Sequence, residues 1–154
     1  MIALADTLDP DCVALDLEAT TGTDAIRETA LLLRGQLPVL DWEELHGQLH
    51  RSAPCLTEAD GGFALTLPHA RTDAVATMVM SVGISRRGVL MDGCEVPVRY
   101  VFCIGVPKAM ANDYLRIVGL LVRILKDPAT EERLRSATTG AEFVDCLSEL
   151  ESKI

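Results

Sequence analysis

A single mixed β-sheet with helices packed on both faces is the α/β fold that this sequence predicts. Three observations carry the expectation. The chain has 154 residues, enough for one core and one domain spanning 1–154. Its apolar residues switch between strand and helix periods, in the order strand, two helices, several strands, two or three helices. No internal repeat, low-complexity tract or linker divides it. Only 4% of the residues are aromatic, so Leu, Val, Ile and Ala must build most of the core.

The elements follow in order. Val13-Ala14-Leu15-Asp16-Leu17 reads as a short strand. Thr20-Thr21-Gly22-Thr23 leads into a helix whose stripe holds Ile26, Ala30, Leu31 and Leu33, with Gly35 as the stop. Asp41 opens a second helix, and Glu44 stands three residues on, the spacing of a capping box. Trp42, Leu45 and Leu49 share one face of it. Ala64 to Leu67, Thr77 to Ile84 and Val96 to Val106 read as strands, and Met78 and Met80 as one face of the second of these. Asn112 or Asp113 caps a long helix with Leu115, Val118, Val122 and Leu125 on its inner side, and Pro128 lies just past its end. A short helical segment covers Ala129 to Ser136. Thr139 with Glu142 caps the last helix, which is buried through Phe143, Cys146, Leu147 and Leu150.

Charge narrows the function. The net charge of −9 leaves no basic cluster to neutralise nucleic-acid phosphates or to hold an anionic membrane surface. It suits a basic partner face, or simple solubility. The five cysteines, Cys12, Cys55, Cys94, Cys103 and Cys146, are scattered and contain no C-x-x-C pair. They read as reduced, which suits the cytoplasm rather than a disulfide framework. The N-terminus lacks the basic and apolar regions of a signal peptide, and no apolar run is long enough to span a membrane.

Pro68-His69, at the end of the alternating run Gly62-Phe63-Ala64-Leu65-Thr66-Leu67, is the pair most suited to chemistry. Proline fixes its own φ and pushes Leu67 into extended geometry, so the imidazole emerges at a defined place. Imidazole titrates near neutral pH and can act as a nucleophile. The alternative is a hydrogen-bonded structural histidine. His46 and His50 stand four apart on the second helix, a spacing that can hold a metal, with Cys55 close in sequence. No third ligand is apparent, they read as solvated helix histidines, and no metal or cofactor is expected. There is no P-loop, nucleophile elbow or dinucleotide fingerprint.

Arg51 with Thr57 downstream, Leu67-Pro68-His69-Ala70-Arg71, Gly88-Val89, Pro97-Val98, Val101-Phe102, Pro107, Tyr114-Leu115 and Leu134-Arg135-Ser136-Ala137-Thr138-Thr139 with Glu142 form one series. On that series, from about Leu4 to Leu150, the chain resembles the fructose/mannitol-type enzyme IIA of the bacterial phosphoenolpyruvate-dependent sugar phosphotransferase system, including its nitrogen-regulatory branch. The resemblance implies that His69 accepts a phosphoryl group from an HPr-like phosphocarrier. It implies that Arg51 clamps the phosphate, where the alternative is a solvated arginine favouring the helix dipole. Tyr114 stands where many members have a second histidine and becomes an orienting hydrogen-bond partner. Arg71 and Thr57 are weaker candidates. Ser52 stands where a glutamate usually follows the arginine. The stretch Glu58-Ala59-Asp60-Gly61-Gly62 replaces a glycine-spaced turn and brings an acidic pair. The implied partners are the HPr-like carrier and either an enzyme IIB or a regulated kinase or transporter. The alternative function is a regulatory binding module of the same fold with reduced or lost transfer.

Overall fold

A computed structural model of the protein describes residues 2–57 and 63–154. Its strands are β1 (Leu8–Ala14), β2 (Cys55–Thr57), β3 (Ala64–Thr66), β4 (His69–Arg71), β5 (Val79–Val89) and β6 (Val98–Val106). They form one sheet in the order β1-β5-β6-β3-β2, with β4 also paired to β6. The sheet is mixed: β1 runs parallel to β5, β3 and β4 run parallel to β6, and β5–β6 and β2–β3 are antiparallel. The helices are α1 (Gly22–Leu31), α2 (Trp42–Leu49), α3 (Ala111–Lys126), α4 (Pro128–Arg135) and α5 (Gly140–Ser152).

Alternation along β6 sorts the helices onto two faces. A Cβ at Gly105 would lie 3.1 Å from the Leu45 side chain of α2. Cys103, two residues away on the same face, directs its sulfur toward the Ile26 carbonyl of α1. Tyr100 points the other way and gives its hydroxyl hydrogen to Glu131 of α4. On β5, a Cβ at Gly83 would sit 2.3 Å from Thr29 Oγ1, so glycine is what allows α1 to lie on the sheet backbone. Both faces of the sheet are therefore covered, as expected.

The caps largely agree with the sequence. Asp41 Oδ1 accepts from Glu44 N, and Thr139 Oγ1 accepts from Glu142 N. Neither acid completes the box on the cap residue itself. Glu44 bonds Gln48, and Glu142 binds the backbone and hydroxyl of Thr138.

Four expectations need correction. The first strand lies at Leu8–Ala14, not Val13–Leu17. Asp9-Pro10-Asp11 looks like a turn, but these residues are exposed on the sheet edge, where the missing proline N–H is tolerated. The long helix begins after Met110 with no side-chain cap, because a 3-10 turn over Lys108–Met110 starts the winding before Asn112. Its inner face is Ile117, Leu121, Ile124 and Leu125, and Leu115 is 66% exposed. Apolar residues surround much of this helix, so two adjacent stripes fit the helical period and only packing selects one.

The fourth correction is Cys55–Cys94, which is a disulfide. The two residues are 39 apart in sequence, yet the loop between β5 and β6 brings Cys94 to 5.7 Å, Cα to Cα, from the edge strand. Cys12 and Cys103 are free and buried, and burial first of all pushes each thiol up to about 12.

Candidate functional site

Pro68 divides one strand line into two. Both β3 and β4 run along the same side of β6, and the Pro68 carbonyl accepts from Ile104 N at 2.9 Å. On the other side, Leu67 N donates to the Pro54 carbonyl at 3.1 Å, and His69 N donates to the Ser52 carbonyl at 3.0 Å. His69 is thus held by backbone on both flanks. Its register partner is Ile104, and Ala70 pairs with Gly105, so His69 projects to the face opposite α2.

The imidazole is half-buried. Its Nδ1 lies 2.9 Å from the Leu67 carbonyl. A carbonyl only accepts, so Nδ1 carries the hydrogen of this contact, and in the neutral ring the lone pair is then on Nε2. Ser52 Oγ lies 3.4 Å from that Nε2. The ring stacks on Tyr114 of α3, centroids 5.1 Å apart at 29°. Burial raises the Tyr114 pKa, so the phenol keeps its proton at neutral pH.

The other expected residues divide. Arg51 follows α2 and is exposed, with its guanidinium turned back toward α2; Nη2 is 3.6 Å from the position a Cβ would take on Gly47. Among the described residues that guanidinium has no hydrogen-bond or ion-pair partner. Arg71 is committed elsewhere, donating through Nε and Nη2 to the Lys108 carbonyl. Thr57 pairs with Ala64 through the β2–β3 ladder. The acidic pair Glu58 and Asp60 lies outside the described residues. The structure therefore brings His69, Tyr114 and Ser52 together, and turns the Arg51 guanidinium toward α2, unengaged among the described residues.

Sequence reasoning treated Ser52 as a departure and missed its contact with the ring. The signal was available: a serine adjoining Arg51 can face the same histidine. The Leu67 carbonyl could not be read in advance, because any residue type supplies it.

A ring nitrogen facing a hydroxyl, with an aromatic ring stacked on the imidazole, is an arrangement able to accept a transferred group. The sequence pattern described as "Phosphoenolpyruvate-dependent sugar phosphotransferase system, EIIA 2" matches residues 6–150. The chain belongs to this family. A curated relative of this enzyme IIA, the fructose-specific EIIA component of Haloferax volcanii, is 33% identical over 90 residues, and the match spans 58% of each chain. Among solved structures, nitrogen regulatory protein IIA-Ntr from Neisseria meningitidis has a TM-score of 0.75 at 20% identity, covering 94% of this enzyme IIA and 98% of that chain. The Escherichia coli IIA of the mannitol system matches with a TM-score of 0.65 at 19% identity, covering 90% and 97%. A complex of the mannitol enzyme IIA with phosphorylated enzyme IIB from the same organism contains a chain matched at 0.68 and 19% identity, covering 90% and 95%. These likenesses establish the shared fold. No helix among the described residues is long and apolar enough to cross a membrane.

Proposed function

We propose that this enzyme IIA carries a phosphoryl group on His69 Nε2. The observation that supports this most is the Nδ1 contact with the Leu67 carbonyl, which leaves Nε2 as the nitrogen with a lone pair. The Nε2 lone pair attacks phosphorus while the bond to the donor's nitrogen breaks; that nitrogen keeps the bonding pair and takes a proton from solvent, and Nδ1 of His69 retains its hydrogen on the Leu67 carbonyl. The donor is an HPr-like phosphocarrier. The recipient is an enzyme IIB, or the charge is read by a regulated kinase or transporter, and the reaction runs in the cytoplasm. The Ser52 hydroxyl turns from the ring to a phosphoryl oxygen. Arg51, which has no hydrogen-bond or ion-pair partner among the described residues, swings in to neutralise the group, and Tyr114 orients the ring. Incubation with phosphoenolpyruvate, enzyme I and an HPr-type carrier should add one phosphoryl mass to His69. An unchanged intact mass across several cognate carriers would overturn the proposal.

The position of Arg51 favours a second reading, a regulatory module with reduced transfer. Its signature is a His69→Ala variant that retains full partner binding and full cellular effect.

A further inference from the structure

From the second helix we infer a metal site: His46 and His50 together chelate one divalent first-row ion of the nickel, copper or zinc group. Their Nε2 atoms are 3.1 Å apart. With metal–nitrogen bonds of about 2.0–2.1 Å, that separation sets an N–metal–N angle of about 100°, between tetrahedral and octahedral values. A hydrogen bond between the rings explains the geometry less well. Two imidazoles aimed along one N–H···N line would hold their centroids about 5.4 Å apart at this nitrogen separation. The centroids are 4.6 Å apart at 77°. The rings are bent off that line, and they stand four residues apart, on α2 and at its C-cap, a spacing that puts both on one side.

Trp42 packs on His46, ring centroids 5.0 Å apart, which restricts that ring before an ion arrives. Among the described residues no third His, Cys, Asp or Glu joins the pair. The sulfur of nearby Cys55 is held in its disulfide. Two nitrogen ligands without an added carboxylate select imidazole-preferring ions and leave Mg²⁺ unbound. Chelation by this pair does not depend on phosphoryl transfer at His69.

Zinc titration of the intact protein, read by long-range ¹H–¹⁵N spectra of the histidine rings, tests the inference. One equivalent of Zn²⁺ should shift the His46 and His50 nitrogens together, and Mg²⁺ at the same concentration should shift neither. His50→Asn and His46→Asn should each weaken zinc binding by about tenfold or more, because either change destroys the chelate. Both positions are partly exposed, so both variants should keep the wild-type melting temperature. Zinc that moves only one ring, goes to His69 or a thiol instead, or binds both variants as tightly as wild type would overturn the inference. So would the absence of any shift up to millimolar Zn²⁺.

Discussion

Two polar centres flank β6, and they are built on opposite plans. Near its start, the Glu131 side chain is 4% exposed and fully engaged: Arg99 donates at 2.8 Å, Arg135 at 3.0 Å and Tyr100 at 3.0 Å. Near its end, His69 has one firm partner at Nδ1 and one distant hydroxyl at Nε2. Arg99 also lies over the Phe63 ring at 4.7 Å, whereas Arg51 has no comparable anchor among the described residues. A buried carboxylate must be saturated to survive desolvation. The phosphoryl acceptance proposed for His69 would need the opposite, a ring nitrogen whose lone pair stays available. The same sheet therefore carries a saturated centre and a sparsely bonded one.

The sharpest way to break this comparison is at the histidine. His69→Ala should abolish phosphoryl acceptance in the mass assay and leave the melting temperature within a few degrees of wild type. A large drop in stability would show that the imidazole is structural after all. Glu131→Leu should do the reverse. It should cost about 2–4 kcal/mol in urea unfolding, because two guanidinium groups and a phenol lose their acceptor, and phosphoryl acceptance should persist in the folded protein.

Acid should act on the same centre. Burial alone would raise the Glu131 pKa, but hydrogen bonds from Arg135, Arg99 and Tyr100 outweigh it and hold the carboxyl below its usual range. Between the two pKa values the unfolded chain binds more protons than the folded one. The stabilisation is therefore complete above the unfolded value, about 4.3, and is lost as pH falls through the depressed folded value. Urea midpoints measured from pH 7 downward should fall more steeply for wild type than for Glu131→Gln. The smallest effect should be that of Ser52→Ala, which removes a single hydroxyl. It should slow phosphoryl acceptance by about tenfold or less without moving stability, as rapid-quench kinetics would show.

Much of this was legible in the sequence, for reasons that differ by residue. His69 could be singled out because Pro68 leaves a local signature, and Tyr114 only because the family resemblance marks the residue before Leu115. Sheet class and helix order followed from periodicity, which needs no knowledge of partners. The face of α3 was misassigned because Leu115 and Ile117 belong to neighbouring stripes of similar apolarity, and only the tertiary fit selects between them. The Cys55–Cys94 bond was hidden because its partners meet through the sheet, and five cysteines offer no unique pairing. Arg51 was found as a residue, but its orientation depends on long-side-chain rotamers that no sequence pattern specifies.

The bond between Cys55 and Cys94 places His69 inside a covalent ring, with the ring's two closing residues on the edge strand and the β5–β6 loop. A protease that severs the backbone once between those cysteines therefore releases no fragment. The nicked chain migrates as one species until its sulfurs are reduced, and the piece bearing the imidazole stays tied to its neighbour throughout.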